Sequence, residues 1–266
     1  MKQKLFSGYG STKELKGILN KLQPKKVFLV TGKASYESCG AAKTIEPILS
    51  DYELVHFSDF ARSFAIDDLQ KGINLFNKEK PDLVIGIGGG SVMDMAKAIT
   101  ILAPQQASMI PIIKAEEEGN KRTTPTIMIP TTAGTGSESD RYSVVYIDRI
   151  KYSLNHPSSI PDYAILDPTY TLKLRPDITA VTGFDALSQS IESYWAVAST
   201  DESRKLSMQA LTMIIKNIHK AVTNPDKEAR EQMLLGANIA GQAIDIASTT
   251  AAHAVSYPMT GFFGIP

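Results

Sequence analysis

The sequence has a single cysteine, a single tryptophan and no excess of charge of either sign. One cysteine, Cys39, excludes an internal disulfide framework and any zinc site built from several cysteines. The 28 Lys and Arg residues balance the 28 Asp and Glu residues, which argues against a basic surface for nucleic acid. No N-terminal apolar segment resembles a signal peptide, and no stretch approaches the roughly 18 apolar residues that cross a bilayer. These absences predict a soluble, cytoplasmic protein with no nucleic-acid or membrane partner.

What the chain has is enough apolar sequence to bury a large core, since 43% of its 266 residues are hydrophobic. Over residues 1–170, compact apolar runs that are typical of buried strands alternate with segments of helical periodicity. The runs considered to be strands cover residues 26–32, 82–90, 126–132 and 143–147. This alternation predicts an open, mainly parallel sheet with helices on both faces, whose binding sites lie after the carboxyl ends of the strands.

The pattern changes at Asp167-Pro168, where strand-like runs end and helical segments follow to the last residue. Small residues recur from Ala229 to His253, which predicts one long helix that packs closely against its neighbours. We therefore predict two domains, an α/β domain over residues 1–171 and a helical domain over residues 172–266. No linker rich in Pro, Gly and Ser separates them, so the two domains are expected to share an interface.

A first glycine-rich loop, GIGGGSVMDMAK at residues 86–97, leaves one predicted strand and opens a helix. Gly88, Gly89 and Gly90 remove three Cβ atoms where the backbone must approach another group closely. Free N–H groups at the helix start, with the positive end of the helix dipole, favour an anion such as a diphosphate. The segment lacks the Gly-Lys-Ser/Thr of a Walker A loop and is not the usual first-strand dinucleotide fingerprint. Taken alone, it fits a phosphate cradle and a tight strand–helix turn equally well.

A second loop, PTTAGTGSE at residues 130–138, also follows an apolar strand. The hydroxyl groups of Thr131, Thr132, Thr135 and Ser137 can hydrogen-bond phosphate, ribose or amide groups. An ordinary hydroxyl-rich turn would explain this loop if it stood alone. Two such loops in one α/β domain favour a dinucleotide site.

Together with GFDALSQSIESYW (183–195) and HAVSYP (253–258), these two blocks resemble the iron-containing (group III) alcohol dehydrogenase family along the whole chain. The resemblance implies a Rossmann-like nucleotide-binding domain followed by an all-helical domain, as in dehydroquinate synthase-like folds. It also implies an NAD(P)-dependent, metal-dependent oxidoreductase, with Fe²⁺ or Zn²⁺ in the cleft between the domains. The implied reaction interconverts a small aldehyde and a primary alcohol, and the implied assembly is a homodimer or larger homo-oligomer.

The resemblance assigns coenzyme-binding roles to residues at several places along the chain. They are Gly32, Gly88, Gly89, Gly90, Ser91, Asp94, Thr131, Thr132, Thr135, Ser137, Lys151 and Leu172. Without the resemblance, Lys151 would be interpreted as a solvated surface lysine. Gly32 stands where NAD-preferring relatives often place an aspartate, whose carboxylate would repel a 2′-phosphate. Because that carboxylate is absent and Lys33 is adjacent, we predict NADPH as the coenzyme, with NADH as the alternative.

The resemblance also implies a metal site, in which Asp185 and Gln189 share one helix face because they are four residues apart. The family has histidine at the second position, and the amide oxygen of Gln189 is a poorer ligand than imidazole. The third family ligand matches His253. Tyr257, four residues further on, and Lys151 are candidates for the substrate side. This chain therefore offers Asp185, His253 and a weak Gln189 for the metal.

Simpler interpretations exist for the two stronger ligands. Asp185 could favour a helix dipole, and without the resemblance His253 would be considered a core histidine. The fourth family ligand, a histidine, is expected directly after GFFGIP, where the sequence stops at Pro266. We therefore expect the helical domain to be incomplete here and the natural polypeptide to continue.

The substrate and the competing functions stay open in the sequence. SYWAVASTDES at residues 193–203 resembles a branch of the family that acts on phosphonoacetaldehyde. Lys151, Arg141 or His156 would then contact the phosphonate, and ordinary surface charge is the alternative for all three. A different class of function is a nucleotide-binding, degenerate or truncated pseudoenzyme without redox activity. A dehydroquinate-synthase-type lyase fits less well, because no cluster of basic residues is present for a phosphorylated sugar acid.

Overall fold

The computed structural model describes residues 3–105 and 108–265, which form an α/β part followed by helices. The strands are β1 (Lys4–Ser7), β2 (Lys26–Thr31), β3 (Glu53–Phe57), β4 (Leu83–Gly88), β5 (Thr126–Pro130), β6 (Tyr142–Ile147), β7 (Ile150–Asn155) and β8 (Tyr163–Leu166). The α-helices are α1 (Glu14–Leu22), α2 (Ser35–Ser38), α3 (Ala41–Leu49), α4 (Ile66–Glu79), α5 (Gly90–Leu102), α6 (Met109–Ile113), α7 (Pro176–Trp195), α8 (Asp201–Thr223), α9 (Lys227–Ala247) and α10 (Ala251–Phe263).

The main sheet has six strands in the order β1-β8-β5-β4-β2-β3, and every pair within it is parallel. The predicted parallel sheet is therefore confirmed. β4 lies between β2 and β5, so that Ile87 is opposite both Thr31 and Ile129. The loops that leave β2, β4 and β5 consequently start side by side at one edge of the sheet, where open α/β folds bind ligands.

Both faces of the sheet are covered, which explains why its strands are continuous apolar runs. Phe28 and Val30 of β2 point into a core shared with α4 and α5. Val27 and Leu29 point to the opposite face, into a core shared with α1 and α3. Since successive side chains of a strand alternate between faces, one short strand supplies both cores.

A separate antiparallel hairpin of β6 and β7 lies outside this sheet. The predicted strand over residues 143–147 is present as β6, while β7 has no counterpart in the predicted set. The two-residue turn consists of Asp148 and Arg149, which both have positive φ, 50° and 66°. This backbone conformation is that of the tight hairpin turns whose twist matches the strands.

All described elements after β8 are helical, as predicted, and α7, α8 and α9 pack against one another around small side chains. The single helix predicted from Ala229 to His253 is wrong, because α9 ends at Ala247 and α10 begins at Ala251. Ser248 has φ 61°, in the left-handed region, which ends α9 and turns the chain. The first long helix begins at Pro176, and the domain boundary at residues 171/172 stays a prediction. None of the described helices is long and apolar enough to span a membrane.

Candidate active site

The two glycine- and hydroxyl-rich loops line one cavity of about 680 Å³ at the carboxyl ends of β2, β4 and β5. We call it the loop cleft. It contains the following of the predicted coenzyme residues: Gly32, Gly89, Gly90, Ser91, Thr131, Thr132 and Thr135. A Cβ atom on Gly90 would lie 2.5 Å from the Thr135 side chain, so glycine lets the two loops approach each other. The cleft thus offers the start of α5 and a row of hydroxyls to one extended ligand.

The walls of the loop cleft carry several basic side chains. The basic side chains on its walls are Lys33, Arg62, Lys173 and Arg175, and no carboxylate belongs to its described lining residues. Lys33 pairs with Asp59 at 2.7 Å and Arg175 with Asp177 at 2.7 Å, and all four of these side chains are largely exposed. This charge and the glycine cradle fit a diphosphate-containing coenzyme.

The remaining predicted coenzyme residues lie elsewhere. Gly88 ends β4, and a Cβ atom there would meet Val92 at 2.5 Å, so its role is to pack the start of α5 against the strand. Leu172 lines neither cavity, although its neighbour Lys173 does. Asp94, Ser137 and Lys151 line a second cavity.

This second cavity, the inner pocket, has a volume of about 280 Å³ and shares Thr135 with the loop cleft. One face of the hairpin lines it through alternate residues, which are Tyr142 and Val144 on β6 and Lys151 and Ser153 on β7. The helical part contributes Asp185 and Gln189 from α7 and His253 and Tyr257 from α10. The structure therefore brings the three predicted metal residues, together with Lys151 and Tyr257, into one pocket beside the cleft.

His253 is held between two carboxylates in this pocket. Its Nδ1 lies 2.6 Å from Oε1 of Glu192, and its Nε2 lies 3.2 Å from Oδ1 of Asp185. Burial opposes a positive charge on the ring, but hydrogen bonds to the two carboxylates raise the pKa of His253. A neutral imidazole that donates from Nδ1 would point the Nε2 lone pair at a carboxylate oxygen. This arrangement consequently calls for a positive charge between Nε2 and Asp185, carried either by a proton or by a metal ion.

Gln189 gives a second indication of a cation. Its amide nitrogen donates to the Thr135 carbonyl oxygen at 3.1 Å and lies 3.4 Å from Oδ2 of Asp185. Its Oε1 is buried and accepts no hydrogen bond from the described residues. A buried acceptor without a partner is costly, so it fits a site in which a cation completes the arrangement. Asp185, His253 and the Gln189 oxygen thus fit a metal ion, although the described residues form no cluster of three or more His, Cys, Asp or Glu ligands.

Lys151 provides the cationic side chain of the inner pocket. Its Nζ lies 3.8 Å from the ring centroid of Tyr257. Burial lowers the pKa of Lys151, while the carboxylates of Asp185 and Asp94 act in the opposite direction. Burial also raises the pKa of Tyr257. The pocket therefore presents an ammonium group and a phenol beside the candidate metal ligands.

The other two basic residues considered for substrate do not line the pocket. Arg141 is bound to Asp245 through Nε at 2.8 Å and Nη2 at 2.7 Å, which joins the start of β6 to α9. His156 is buried, with Nε2 3.1 Å from the Gly119 carbonyl oxygen and Nδ1 accepting from the Ser158 amide. Both are thus structural in this fold.

Two supporting residues have no counterpart among the predicted site residues. Glu192 is seven residues after Asp185, so helical periodicity could have placed it on the same face. Lys97 ends the first glycine-rich motif, and its side chain is fully buried, with Nζ 2.9 Å from Oδ1 of Asp140 and 2.8 Å from the Ser137 carbonyl oxygen. Burial raises the pKa of Asp140 to about 7, against the opposing effect of Lys97. The available signal was a lysine three residues after Asp94 in a largely apolar helix.

Models of known protein families match almost the whole of this chain. Residues 2–168 match the model of the iron-containing alcohol dehydrogenases, and residues 179–266 match that of the C-terminal part of the same family. The chain belongs to the iron-containing alcohol dehydrogenase family. The family resemblance drawn from the motifs is thereby confirmed.

Individual proteins that are similar to this chain are also named as dehydrogenases of alcohols. The chain is 32% identical over 262 residues to long-chain-alcohol dehydrogenase 1 of Geobacillus thermodenitrificans, covering 97% of this chain and 66% of that protein. It is 32% identical over 270 residues to the NADPH-dependent butanol dehydrogenase of Clostridium saccharobutylicum, covering 98% of this chain and 68% of that protein. The chain spans about half to two thirds of the length of such curated relatives, for example 48% of alcohol dehydrogenase 4 of Schizosaccharomyces pombe and 69% of alcohol dehydrogenase 4 of Saccharomyces cerevisiae.

Solved structures support the same fold. An iron-containing alcohol dehydrogenase from Thermotoga maritima is 33% identical with a TM-score of 0.92, over 100% of this chain and 74% of that one. Sulfoacetaldehyde reductase from Bifidobacterium kashiwanohense, solved in complex with NAD⁺, is 31% identical with a TM-score of 0.92, over 99% of this chain and 71% of that one. The predicted fold, a parallel-sheet domain followed by a helical domain, is confirmed by these likenesses.

Proposed function

We propose that this iron-containing alcohol dehydrogenase homologue interconverts a small aldehyde and a primary alcohol with NAD(P)H as the hydride donor. The observation that carries the proposal is the junction at Thr135, where the loop cleft with its basic side chains meets the inner pocket. A coenzyme laid along the cleft would bring its nicotinamide end to the pocket that holds Asp185 and His253. Holding the two reactants in one orientation supplies a large part of the rate enhancement in such a transfer.

We propose that Asp185, His253 and Gln189 hold the metal, with Fe²⁺ as the family's ion and Zn²⁺ as the alternative. A bound divalent ion would act as a Lewis acid on the substrate oxygen. Lys151 and Tyr257 lie on the substrate side, where the ammonium and phenol protons can hydrogen-bond the oxygen as it gains negative charge. Tyr142 and Ser153 complete the polar wall.

Substitution of one metal ligand tests this proposal. D185A is expected to abolish metal-dependent oxidation of NADPH by small aldehydes, while NADPH binding, measured by its fluorescence, is retained. Asp177 lies on the same helix but is exposed and paired with Arg175, so D177A is the matched control and should keep full activity. Full metal-dependent activity in D185A would contradict the proposed metal site.

We further propose NADPH over NADH. The cleft residue Gly32, directly after β2, provides no carboxylate, and four basic side chains line the cleft. Among the relatives, a butanol dehydrogenase is named NADPH-dependent, a methanol dehydrogenase is named NAD-dependent, and the sulfoacetaldehyde reductase was solved with NAD⁺. In G32D the new carboxylate should lower kcat/KM for NADPH more than for NADH. A Cβ atom at this position would clash with Oγ of Ser35, so the control is G32A, which shares that clash without the charge.

For the substrate we propose a small aldehyde with an anionic tail, phosphonoacetaldehyde first. Lys151 is the observation that favours it, because its ammonium group faces the inner pocket among hydroxyl groups. A sulfoacetaldehyde reductase is among the similar structures. Steady-state rates with phosphonoacetaldehyde, sulfoacetaldehyde and propionaldehyde test the choice, and K151M should lower kcat/KM most for the anionic substrates. An equal loss for propionaldehyde would show that Lys151 does not recognise an anionic tail.

The pseudoenzyme hypothesis predicts a different result from the same assays. It requires NADPH binding with no oxidation by any aldehyde, with or without added Fe²⁺ or Zn²⁺. The expected homo-oligomer and cytoplasmic location stay predictions.

A further inference from the structure

The environment of Glu192 assigns this residue a role beyond the metal ligands and the two cavities. Glu192 is buried in α7 with 1% of its surface exposed and lines neither cavity. An ionised carboxylate in such a position is costly unless several donors surround it. Two residues provide them: His253 through Nδ1, and Thr250 through its backbone N–H and its hydroxyl group, the latter at 2.8 Å.

These donors define the hydrogen bonding of Glu192. Its Oε2 accepts from the backbone N–H and the hydroxyl group of Thr250, and its Oε1 faces Nδ1 of His253. Such a set of donors suits an ionised carboxylate. An ionised carboxylate only accepts hydrogen bonds. The proton between Glu192 and His253 must therefore reside on Nδ1 of the imidazole, at a separation of 2.6 Å.

The consequence appears at the other side of the ring. With the hydrogen on Nδ1, the free electron pair of a neutral imidazole is on Nε2, which faces Asp185 at 3.2 Å. Metal-bound histidines commonly donate their second nitrogen to a carboxylate, which fixes the tautomer and the ring orientation. Because Glu192 and Asp185 lie on one face of α7, a single helix sets both the ligand and its support.

We propose that Glu192 is a positioning residue, whose carboxylate orients His253 so that Nε2 is presented together with Asp185 to a divalent cation in the inner pocket. Thr250 has a separate effect, because its bonds to Glu192 join α7 to the start of α10. The proposal rests on the proposed function only in requiring that the pocket binds a metal.

The test compares Co²⁺ binding by the wild-type protein with that by E192Q, E192A and T250V. Co²⁺ is titrated against a chromophoric chelator, and the visible absorption of bound Co²⁺ reports its ligand geometry. Loss of such a supporting carboxylate should weaken Co²⁺ binding by about 10–100-fold in E192Q and change the visible band. E192Q keeps the size of the side chain, so it remains informative if E192A does not fold.

T250V is the matched control. It removes the hydroxyl bonds to Glu192 and to Nε1 of Trp195 but keeps the Thr250 backbone N–H and the contact between Glu192 and His253. Its Co²⁺ affinity and spectrum should therefore stay close to those of the wild type. NADPH binding in the loop cleft should be unchanged in E192Q and T250V, which shows that the fold is retained.

Three results would overturn the proposal. Wild-type affinity and spectrum in E192Q would show that Glu192 does not position His253. Equal losses in T250V and E192Q would show that Glu192 only anchors the start of α10. If the wild-type protein binds no Co²⁺, the metal part of the proposed function fails and the role of Glu192 fails with it. If the wild-type protein and E192Q bind Co²⁺ equally well, only the role of Glu192 is refuted.

Discussion

The buried ion pair beneath the two loops gives the sharpest stability prediction. Lys97 is fully buried, and its ammonium group contacts Oδ1 of Asp140 at 2.9 Å and the carbonyl oxygens of Ser137 and Asp140 at 2.8 and 3.3 Å. Asp94 lies 3.9 Å from the same nitrogen. In K97M the methionine fills similar space, but two buried carboxylates lose their cation.

Breaking a buried pair by removing one partner costs about 3–5 kcal/mol, because the other charge stays buried without compensation. For a chain of this size, 1 kcal/mol corresponds to roughly 2–4 °C in Tm, so K97M should lower Tm by roughly 6–20 °C. Chemical denaturation followed by circular dichroism checks the free energy of unfolding. NADPH binding should weaken as well, since Lys97 anchors the loop that contains Ser137.

The double variant K97M/D140N separates charge from packing. An asparagine in place of Asp140 has no charge to compensate, so the double variant should be more stable than K97M, with a coupling energy of about 1–3 kcal/mol. A loss below about 1 kcal/mol in K97M, or a double variant as unstable as the single one, would refute the argument.

The remaining predictions concern two glycines, one histidine and the amide at the metal site. Gly17 is inside α1 with no atom within 4 Å of an added Cβ, so G17A should stabilise the folded protein by about 0.5–1 kcal/mol in the same denaturation assay. In G241A the added Cβ would lie 2.5 Å from the Gly136 carbonyl oxygen, so this variant should destabilise the folded protein by about 1–3 kcal/mol. Burial lowers the pKa of His56 from 6.5, so the folded protein binds a proton less readily than the unfolded chain does. The stability that is present above pH 6.5 should therefore be lost as the pH falls through the lowered pKa. H56Q should remove that part of the pH dependence, and an unchanged profile would contradict it. Q189H should increase Zn²⁺ and Co²⁺ affinity, measured by chelator competition, by about tenfold or more, and unchanged affinity would show that residue 189 is not a ligand.

The sequence predicted well those strands whose formation depends mainly on their own residues. Compact apolar runs predicted β2, β4 and β5. The edge strands β1 and β3 were missed because they are short and largely exposed, and β8 was missed because it has only four residues. The predicted alternation correctly put the two loops at one edge of the sheet. What it could not predict is that β6 leaves the sheet to form a hairpin with β7, because that choice depends on which partner strand is available.

In the candidate site, too, contacts within one helix were predictable and contacts between helices were not. Four-residue spacing was sufficient to pair Asp185 with Gln189 and His253 with Tyr257 on their respective helices. The distance between the two helices was not in the spacing, and the continuous helix predicted from Ala229 to His253 would have placed His253 in a different direction. The break at Ser248 brings His253 towards α7. A serine with positive φ has no strong sequence signal, which is why this decisive turn was missed.

The break in the helix also explains why Glu192 belongs to the site rather than to the core. A helix that begins at Ala251 has backbone N–H groups in its first turn without partners inside the helix. The carboxylate of Glu192 accepts from the Thr250 N–H just before that turn and from Nδ1 of His253 within it. In the role proposed above, one buried carboxylate both satisfies the chain where α10 starts and orients the ring that α10 carries. Because the turn and the ring share this acceptor, the same contact would set the position of α10 and the direction of the candidate metal ligand. A residue with such a double role can be recognised only when both helices are placed, since neither helix contains all of its partners.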